Sequence, residues 1–221
     1  MELYYVITIS DRDRAEILSN IYQTAGTGMV LTKLGRGTAT DEQLSSYGLD
    51  ATEKAIVSTV ADAEQTRQIF RAAKRKLFID IPGNGVMMAI PLKSVAGGRT
   101  LGFLTDSTQT GGKPAMDFSH ELIMAIMNEG YSDTVMDAAR SAGAGGGTVL
   151  HAKGTGRARA EKFFGVSLAD EKDVVYIVAH AEEKAAIMQA IADNAGPGTR
   201  AGAICFSLPI SQVAGLRERD E

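Results

Sequence analysis

The strongest constraint on this chain is that its second half repeats its first. The run Gly85-Val86-Met87-Met88-Ala89-Ile90-Pro91 is followed by Val95-Ala96-Gly97. The same arrangement returns 118 residues later, as Ala203-Ile204-Cys205-Phe206-Ser207-Leu208-Pro209 followed by Val213-Ala214-Gly215. This period is longer than the roughly 20 to 50 residues of solenoid repeats, so each copy is predicted to be a whole domain.

The repeat also predicts the domain boundaries. Upstream, Gly35-Arg36-Gly37 corresponds to Gly154-Thr155-Gly156 at an offset of 119, so the matching segments keep their order. Glycine, proline and a Ser/Thr/Gln cluster interrupt the apolar pattern between the copies. We therefore predict a first copy over residues 1–97, a linker over 98–118 and a second copy over 119–221.

Each copy mixes strand and helix periodicities in the same order. The expected elements of the first copy are strands over 3–9, 29–34, 55–60 and 86–92, with helices that end near 26 and span 62–76. Those of the second are strands over 122–127, 148–152, 174–179 and 204–208, with helices over 133–142 and 182–194. The order βαββαβ predicts an α+β protein of two ferredoxin-like domains in tandem, each an antiparallel sheet with its helices on one face.

The start of the first helix can be predicted in more detail. Ser10 is a suitable N-cap, because its hydroxyl can accept from an unpaired backbone N–H of the first turn. Ile17, Leu18 and Ile21 then follow at helical spacing and are predicted to face the core.

A sheet with helices on one face leaves its other face uncovered. Apolar residues are expected on both faces of these strands, and such a face is usually buried against another domain or subunit. We therefore expect a homo-oligomer.

Composition excludes several classes of protein. Of the 221 residues 44% are hydrophobic, and 23 Lys and Arg face 27 Asp and Glu, giving a net charge of -4. The hydrophobic fraction is enough to form a core. The charged residues include no basic cluster that would bind nucleic acid. No stretch has the roughly 18 apolar residues of a membrane span, and no secretory signal pattern precedes the first strand. We expect a cytoplasmic protein with no membrane span and no nucleic-acid partner.

The usual marks of an enzyme do not occur in the sequence. Neither a phosphate-binding P-loop nor a G-x-S-x-G elbow is found. Cys205 falls in a predicted core strand, where a buried thiol is commoner than a nucleophile. His120, His151 and His180 are dispersed and lack the spacing of a metal site. We predict a protein that is not an enzyme and binds no metal.

Two glycine-rich segments are the candidate binding residues. The first runs from Gly143 to Thr148 and continues through Lys153, Gly154, Gly156 and Arg157. Its glycines admit close approach of backbone N–H groups to an anion, and Lys153 and Arg157 supply charge. The alternative is that Gly143 caps the preceding helix and the other glycines form a turn. The second segment, Gly196 to Arg200, includes Gly198, Thr199 and Arg200 and has the same alternative of a simple turn.

The second copy resembles a known family. Residues 126–148, the run Lys153-Gly154-Thr155-Gly156-Arg157 and the closing Phe206-Ser207-Leu208-Pro209-Ile210 are similar to nitrogen regulatory P-II signalling proteins. The first copy is similar but weaker. The resemblance implies a trimeric sensor that binds adenine nucleotide, often with 2-oxoglutarate, between subunits and engages a target protein through a T-loop. By position, the resemblance assigns nucleotide contacts to Thr148, Gly154, Gly156 and Arg157, phosphate contacts to the loop over 198–203, and a late phosphate contact to Arg217.

The sequence departs from the family pattern in several places. The glycine-lysine pair expected just before the last strand is absent, and Arg200 is the candidate replacement. In the first copy Met29, Leu34 and Thr38 stand where the second has Thr148, Lys153 and Arg157, so the site of the first copy is expected to be degraded. The T-loops are short, and residues 45–47 of the first copy and 162–164 of the second suggest a docking helix.

These observations lead to one main functional prediction. The chain is expected to be a non-enzymatic regulator that senses a small anionic effector, ATP or ADP and in addition 2-oxoglutarate, and modulates a target protein of nitrogen metabolism. No cofactor is required. The alternative is a structural or scaffolding oligomer whose effector sites are vestigial.

Overall fold

The computed structural model describes residues 2–38, 53–92, 118–154, 162–163, 166–167 and 170–216. Its elements, in chain order, are β1 (Leu3–Asp11), a 3-10 turn (Arg12–Arg14), α1 (Ala15–Thr24), β2 (Leu31–Gly37), β3 (Glu53–Asp62), α2 (Ala63–Leu77), β4 (Val86–Pro91), β5 (His120–Asn128), α3 (Ser132–Ser141), β6 (Thr148–Gly154), β7 (Lys162–Phe163), β8 (Val166–Ser167), β9 (Asp170–His180), α4 (Lys184–Ala195), β10 (Ile204–Ile210) and β11 (Gln212–Ala214). The first copy thus has the predicted order βαββαβ, and the second copy has the same order with β7, β8 and β11 in addition.

The contacts divide these elements into two compact units that do not coincide with the sequence copies. Among the described residues, the first unit contains 2–34, 53–92, 118–120 and 209–216. The second contains 35–38 and the described residues from 121 to 208. The end of β2 therefore belongs to the second unit, while the C-terminal segment with β11 belongs to the first.

The first unit has the strand order expected of a ferredoxin-like sheet. Its strands lie in the order β2-β3-β1-β4, and β11 follows β4. β1 pairs antiparallel with both β3 and β4. Val6 of β1 and Val57 of β3 share one buried cluster with residues of both α1 and α2, so both helices cover the same face of the sheet.

The second unit repeats this order as β10-β5-β9-β6, followed by the end of β2. β6 pairs antiparallel with β9 and, at its other side, with β2 through Arg36 opposite Val149 and Gly37 opposite Thr148. A second buried cluster joins the strands to α3 and α4, again on one face. The α+β class and the ferredoxin-like arrangement are confirmed in both units.

Two details predicted for the first helix are wrong. β1 continues through Ser10, which is buried and lies opposite Ala55 in β3, so the strand occupies the residue expected to cap the helix. α1 then begins only after the 3-10 turn, and Arg14 precedes it without a side-chain cap. The helix buries Leu18, Ile21 and Tyr22, which lie three and four residues apart on one face, whereas Ile17 is exposed.

The helix α2 begins with a full capping box. The Asp62 carboxylate accepts a hydrogen bond from the Gln65 backbone N–H at 2.8 Å, and the Gln65 side chain accepts from the Asp62 N–H at 3.0 Å. Two otherwise unpaired donors are thereby satisfied, so the helix start predicted at residue 62 is explained. The Gln65 side chain also donates to the Gly26 carbonyl, which ties α2 to the turn after α1.

Two other features were not predicted. Lys162–Phe163 and Val166–Ser167 pair as the antiparallel strands β7 and β8, so the docking helix expected over 162–164 is wrong for the residues described there. Residues 45–47 lie outside the residues that the structure describes. β11 follows the last predicted strand and was not expected. No helix in the described part of the chain is long and apolar enough to cross a membrane.

Candidate functional site

The loop between α4 and β10, residues 196–203, is closed by its own backbone. The Ala203 N–H donates to the Ala195 carbonyl at 2.8 Å, and Thr199 donates to the Gly196 carbonyl from both its N–H and its hydroxyl, each at 2.9 Å. A Cβ on Gly196 would lie 2.1 Å from the Ala192 carbonyl oxygen, so only glycine fits there. We call this segment the 196–203 loop.

Asn128, the last residue of β5, anchors the 196–203 loop. Its backbone N–H donates to the Ala201 carbonyl at 2.9 Å, and its side-chain amide donates to the Arg200 carbonyl, also at 2.9 Å. Its side-chain oxygen accepts from the Lys172 ammonium at 2.6 Å. One residue therefore connects the end of β5 and the start of β9 to the backbone of the loop.

The anchored loop presents its polar groups outward. Gly198, Thr199 and Arg200 are all exposed, while Ala201 and Ala203 on either side of Gly202 are buried. The buried alanines and the Asn128 bonds fix the backbone, so the Arg200 guanidinium extends from a defined position. An exposed arginine on a backbone that is held in this way suits a small anion.

The end of β6 lies at the same end of the sheet as this loop. Lys153 pairs with Glu171 and Gly154 with Asp170 at the start of β9. The Glu171 carbonyl in turn accepts from the N–H of Glu129, the residue after Asn128, at 3.4 Å. The structure thus brings together the backbone of two predicted site segments, the Lys153-Gly154 end of β6 and the loop that carries Gly198, Thr199 and Arg200.

Thr148 is not part of this group. It begins β6 five residues before Lys153, which corresponds to about 16 Å along an extended strand. It is buried and lies opposite Tyr176 in β9 and Gly37 in β2. Within the second unit, Thr148 and the 196–203 loop therefore do not share one pocket.

The glycines before Thr148 have a structural explanation. Gly143 has a φ of +103° and its N–H donates to the Arg140 carbonyl at 3.0 Å, as a residue that ends a helix does. A Cβ on Gly147 would lie 3.0 Å from both the Met136 Sδ and the Tyr176 carbonyl oxygen. The capping interpretation of Gly143 is confirmed, and Gly147 lies in close packing that a side chain would have to displace.

Thr38 joins the second unit directly at Gly147. The Thr38 N–H and hydroxyl both lie within hydrogen-bond distance of the Gly147 carbonyl, at 3.1 and 3.0 Å, and the Gly147 N–H donates to the Thr38 hydroxyl at 2.8 Å. The Arg140 guanidinium donates to the Thr38 carbonyl. Thr38 is the sequence counterpart of Arg157 and was predicted to be a degraded binding residue. Its hydrogen bonds show that it stabilises the turn at Gly147.

A buried carboxylate beside the candidate site was missed by sequence reasoning. Asp173 is only 2% exposed, accepts from the Gly130 N–H at 3.0 Å and lies 2.7 Å from His151 Nδ1. The two residues are neighbours across β6 and β9 but 22 positions apart in sequence. No local spacing could have shown the pair; only the strand register does.

The chemistry of Cys205 agrees with a packing role. Its thiol lies 3.8 Å from the Met188 carbonyl oxygen and packs against the core of the second unit. Burial raises the pKa of the Cys205 thiol above its ordinary value, which disfavours the nucleophilic thiolate. Within the described ranges no group of three or more metal-ligating side chains occurs.

Gly156, Arg157 and Arg217 lie outside the described residues. Their assignment to a nucleotide site, together with that of the side chain of Lys153, remains a prediction.

Comparison with known proteins identifies the second copy. Residues 120–220 match the family model described as nitrogen regulatory protein P-II. Two similar solved structures are the Arabidopsis thaliana PII bound to citrate, 23% identical, covering 43% of this chain and 80% of that chain with a TM-score of 0.35, and GlnK of B. subtilis, 16% identical, covering 45% and 93% with a TM-score of 0.34. No curated protein matches the chain in sequence. Residues 120–220, just under half of the chain, are therefore the part that matches the nitrogen regulatory protein P-II family.

Proposed function

We propose that the chain is a regulatory protein that senses an adenine nucleotide, ATP or ADP, together with 2-oxoglutarate, and modulates a target protein of nitrogen metabolism. The match of residues 120–220 to the P-II family is the observation that carries this proposal. It acts by binding and not by catalysis. Its two P-II-like copies are residues 1–97 and 119–221, joined by 98–118, and the second copy holds the functional site.

The 196–203 loop supports an anionic effector. Its backbone is held by Asn128, and it exposes Thr199 and Arg200 at the end of the sheet where β6 also ends. Arg200 takes the place of the lysine that the P-II pattern has in this region. A charge-assisted hydrogen bond to phosphate contributes about 1.5–3 kcal/mol, equivalent to roughly 10- to 100-fold in affinity.

Calorimetric titration with ATP, ADP and AMP, with and without 2-oxoglutarate, tests the proposal. We expect saturable heat for at least one nucleotide and no release of inorganic phosphate in the same samples. No heat and no change in melting temperature with any of these ligands contradicts nucleotide sensing. That result favours the alternative, a scaffolding oligomer with vestigial sites.

Variants of single arginines test the site itself. Arg200→Ala and Arg157→Ala are each expected to weaken nucleotide binding by 10-fold or more. Arg71→Ala, an exposed arginine of α2 in the first copy, is the matched control and should leave binding unchanged. Thr38→Ala is a poor control, because the Thr38 hydroxyl bonds to Gly147. Equal losses with Arg71→Ala and Arg200→Ala mean that charge in general, and not this loop, determines binding.

A further inference from the structure

The outer face of α2 carries a high density of positive charge. Residues 63–81, which comprise α2 and the turn after it, contain five Lys and Arg and two carboxylates, a net charge of +3 in a chain of net charge -4. Four of the cations are exposed and lie on one side of the helix, because they are separated by three or four residues. We call these residues, Arg67, Arg71, Lys74 and Arg75, the basic stripe. It extends over about 12 Å along the helix axis.

The second copy forms the equivalent helix without this charge. α4 follows α2 at an offset of 118, and its buried residues Ile187, Ile191 and Ala195 repeat the buried residues Ile69, Ala73 and Leu77. The exposed positions differ, since the basic stripe is replaced by Ala185, Gln189, Ala192 and Asp193. Residues 181–199, the equivalent of 63–81, contain one Lys and three carboxylates, a net charge of -2. The two copies therefore share the packing of this helix, and the basic stripe is a separate feature of the first.

Helix stability does not account for the basic stripe. The helix dipole favours cations in the last turn, which explains Lys74 and Arg75. Arg71 lies earlier and has another arginine four residues away on either side, and like charges at that spacing repel each other. Arg67 pairs with Glu64, whereas no ion pair formed by the described residues includes the other three cations of the stripe. These three charges are therefore available to a partner.

Two exposed apolar side chains follow the basic stripe. Phe78 comes directly after α2 and is 58% exposed, and Ile81 is 53% exposed. The turn that carries them is held in place, because the Ile81 N–H and the Asn84 side chain both donate to the Phe78 carbonyl, each at 3.0 Å. Arg14 donates in turn to the Asn84 carbonyl at 3.2 Å and to the Asn84 side-chain oxygen at 3.3 Å. We call Phe78 and Ile81 the apolar tip.

Neither packing nor backbone geometry explains the phenylalanine at position 78. Its φ of 51° lies in the left-handed region, where a side chain is strained, and more than half of its surface is exposed. The residues 118 positions after Phe78 and Ile81 are Gly196 and Thr199, which are usual in an exposed turn. A strained and exposed aromatic residue indicates a functional constraint.

Cations next to exposed apolar side chains are typical of a surface that binds anionic lipid. Four or more Lys and Arg on a helix attract anionic headgroups, and aromatic side chains are favoured at the depth of the headgroups. The outer face of a helix is convex, which a lipid surface accommodates, whereas peptides usually bind in a groove or along a strand edge. Single-stranded nucleic acid would pair with the cations and stack on Phe78, but it leaves Ile81 without a partner. An anionic lipid surface is the partner that uses both the stripe and the tip.

We propose that the basic stripe and the apolar tip bind the surface of an anionic lipid bilayer. α2 lies along the surface, the cations pair with headgroup phosphates, and Phe78 and Ile81 insert among the headgroups. The attachment is peripheral and reversible, and each Lys or Arg contributes about fivefold in affinity. The surface belongs to the first copy, so this proposal does not rest on nucleotide binding by the second.

Sedimentation with lipid vesicles tests the basic stripe. The purified chain is mixed at low salt with vesicles of equal parts phosphatidylglycerol and phosphatidylcholine, or with vesicles of phosphatidylcholine alone. We expect it to pellet with the anionic vesicles only, and added sodium chloride should release it. Arg71→Gln should weaken this binding by about fivefold, and Arg71→Gln combined with Lys74→Gln by about 25-fold. Failure of the unchanged chain to pellet with the anionic vesicles contradicts the proposal.

Lys33→Gln is the matched control, because it removes the same charge from an exposed lysine of β2 in the first unit. It should leave vesicle binding unchanged, and all three variants should keep the melting temperature of the unchanged chain. Equal losses with Lys33→Gln and Arg71→Gln would show that net charge, and not the stripe, determines binding, which overturns the proposal. Binding of single-stranded DNA or of polyglutamate, with no binding of vesicles, overturns it in favour of a nucleic acid or an acidic protein.

Tryptophan fluorescence tests the apolar tip. The chain contains no tryptophan, so Phe78→Trp introduces a single reporter. Its emission should shift to shorter wavelength with the anionic vesicles, because the ring leaves water. Gln189→Trp, at the exposed repeat of Arg71 in α4, is the control and should not shift. An unshifted emission of Phe78→Trp on bound vesicles contradicts insertion of the tip. Arg71→Gln should bind nucleotide as the unchanged chain does, so a failure of lipid binding and a failure of nucleotide sensing are told apart.

Discussion

The side-chain amide nitrogen of Asn128 lies 2.9 Å from the backbone carbonyl oxygen of Arg200 and donates a hydrogen bond to it. This bond and the one from Lys172 are the side-chain connections of Asn128 that hold the 196–203 loop in place. Asn128→Ala removes both and leaves the backbone bond to Ala201. A side-chain hydrogen bond contributes about 0.5–1.5 kcal/mol, so we expect faster amide hydrogen exchange in the loop by up to roughly 10-fold.

Asn194→Ala is the control for this change. The Asn194 amide donates to the Ala190 carbonyl one turn earlier in α4, at 2.8 Å. Its removal should leave exchange in the 196–203 loop unchanged, as followed by mass spectrometry of peptides from the region. If both alanine variants accelerate exchange equally, Asn128 is not the anchor of the loop.

The elements that sequence predicts well are those that depend on a local pattern of apolar and polar residues. Each copy carries its own alternation of apolar and polar residues, and the repeat doubles the signal, so the order βαββαβ is confirmed twice. The start of α1 is an exception, because Ser10 is a good cap by type, but its pairing with Ala55 keeps it in the strand. At this residue, strand pairing outweighs the preference of serine for a helix N-cap.

The sequence did not predict contacts between residues that lie far apart in the chain. Neither the strand β11 nor its pairing with β4 was predicted, and the end of β2 could not be assigned to β6. His151 and Asp173 meet only through strand register. The same limit applies to the site: the glycines of the 143–147 turn suggested anion binding, whereas Gly143 and Gly147 are explained by a helix end and by close packing.

Asp173 is predicted to stabilise the second unit mainly through the turn before α3. Asp173→Ala removes the hydrogen bond from the exposed Gly130 N–H to the buried carboxylate, and a hydrogen bond to a charged group contributes about 1.5–3 kcal/mol. His151→Ala should cost under about 1 kcal/mol, because His151 is largely exposed and water can take its place. Urea unfolding at pH 7 measures both. Equal losses of unfolding free energy in the two variants would show that Asp173 stabilises the unit through His151 and not through Gly130.

Phe78 ends α2 in a conformation that favours glycine. Its φ and ψ are 51° and 44°, its side chain is exposed, and its N–H donates to the Lys74 carbonyl at 3.1 Å. A side chain in the left-handed region costs about 1–2 kcal/mol, of which part is offset by the greater freedom of glycine in the unfolded chain.

Phe78→Gly is therefore expected to raise the free energy of unfolding by about 0.5–1 kcal/mol. Phe78→Ala is the matched control, since alanine removes the aromatic ring but keeps the Cβ that causes the strain. It should give no gain. Thermal and urea unfolding of the two variants separate the explanations: a gain with alanine as large as with glycine assigns the effect to the exposed ring.

Tyr22 connects α1 to the core of the first unit through a buried hydroxyl. Its oxygen lies 2.6 Å from the Thr8 hydroxyl and 3.4 Å from the Val57 carbonyl oxygen, and its side chain is fully buried. Burial raises the pKa of Tyr22 well above its ordinary value of 10.0, because the phenolate would lose its hydration. The bond to Thr8 opposes that shift only in part.

This raised pKa predicts a loss of stability at alkaline pH. Below pH 10 the phenol is protonated in both the folded and unfolded chains and the stabilisation is fully present; above it the unfolded chain releases the proton first. The free energy of unfolding should therefore fall by up to about 1.4 kcal/mol per pH unit from this one group.

Tyr22→Phe should lower the free energy of unfolding at pH 8 but reduce the steepness of its fall at alkaline pH. Burial also raises the pKa of Tyr4, to about 12, so Tyr4→Phe serves as the comparison for a second contributing group. Urea unfolding between pH 8 and 11 measures the slopes, and an unchanged slope in Tyr22→Phe contradicts the assignment.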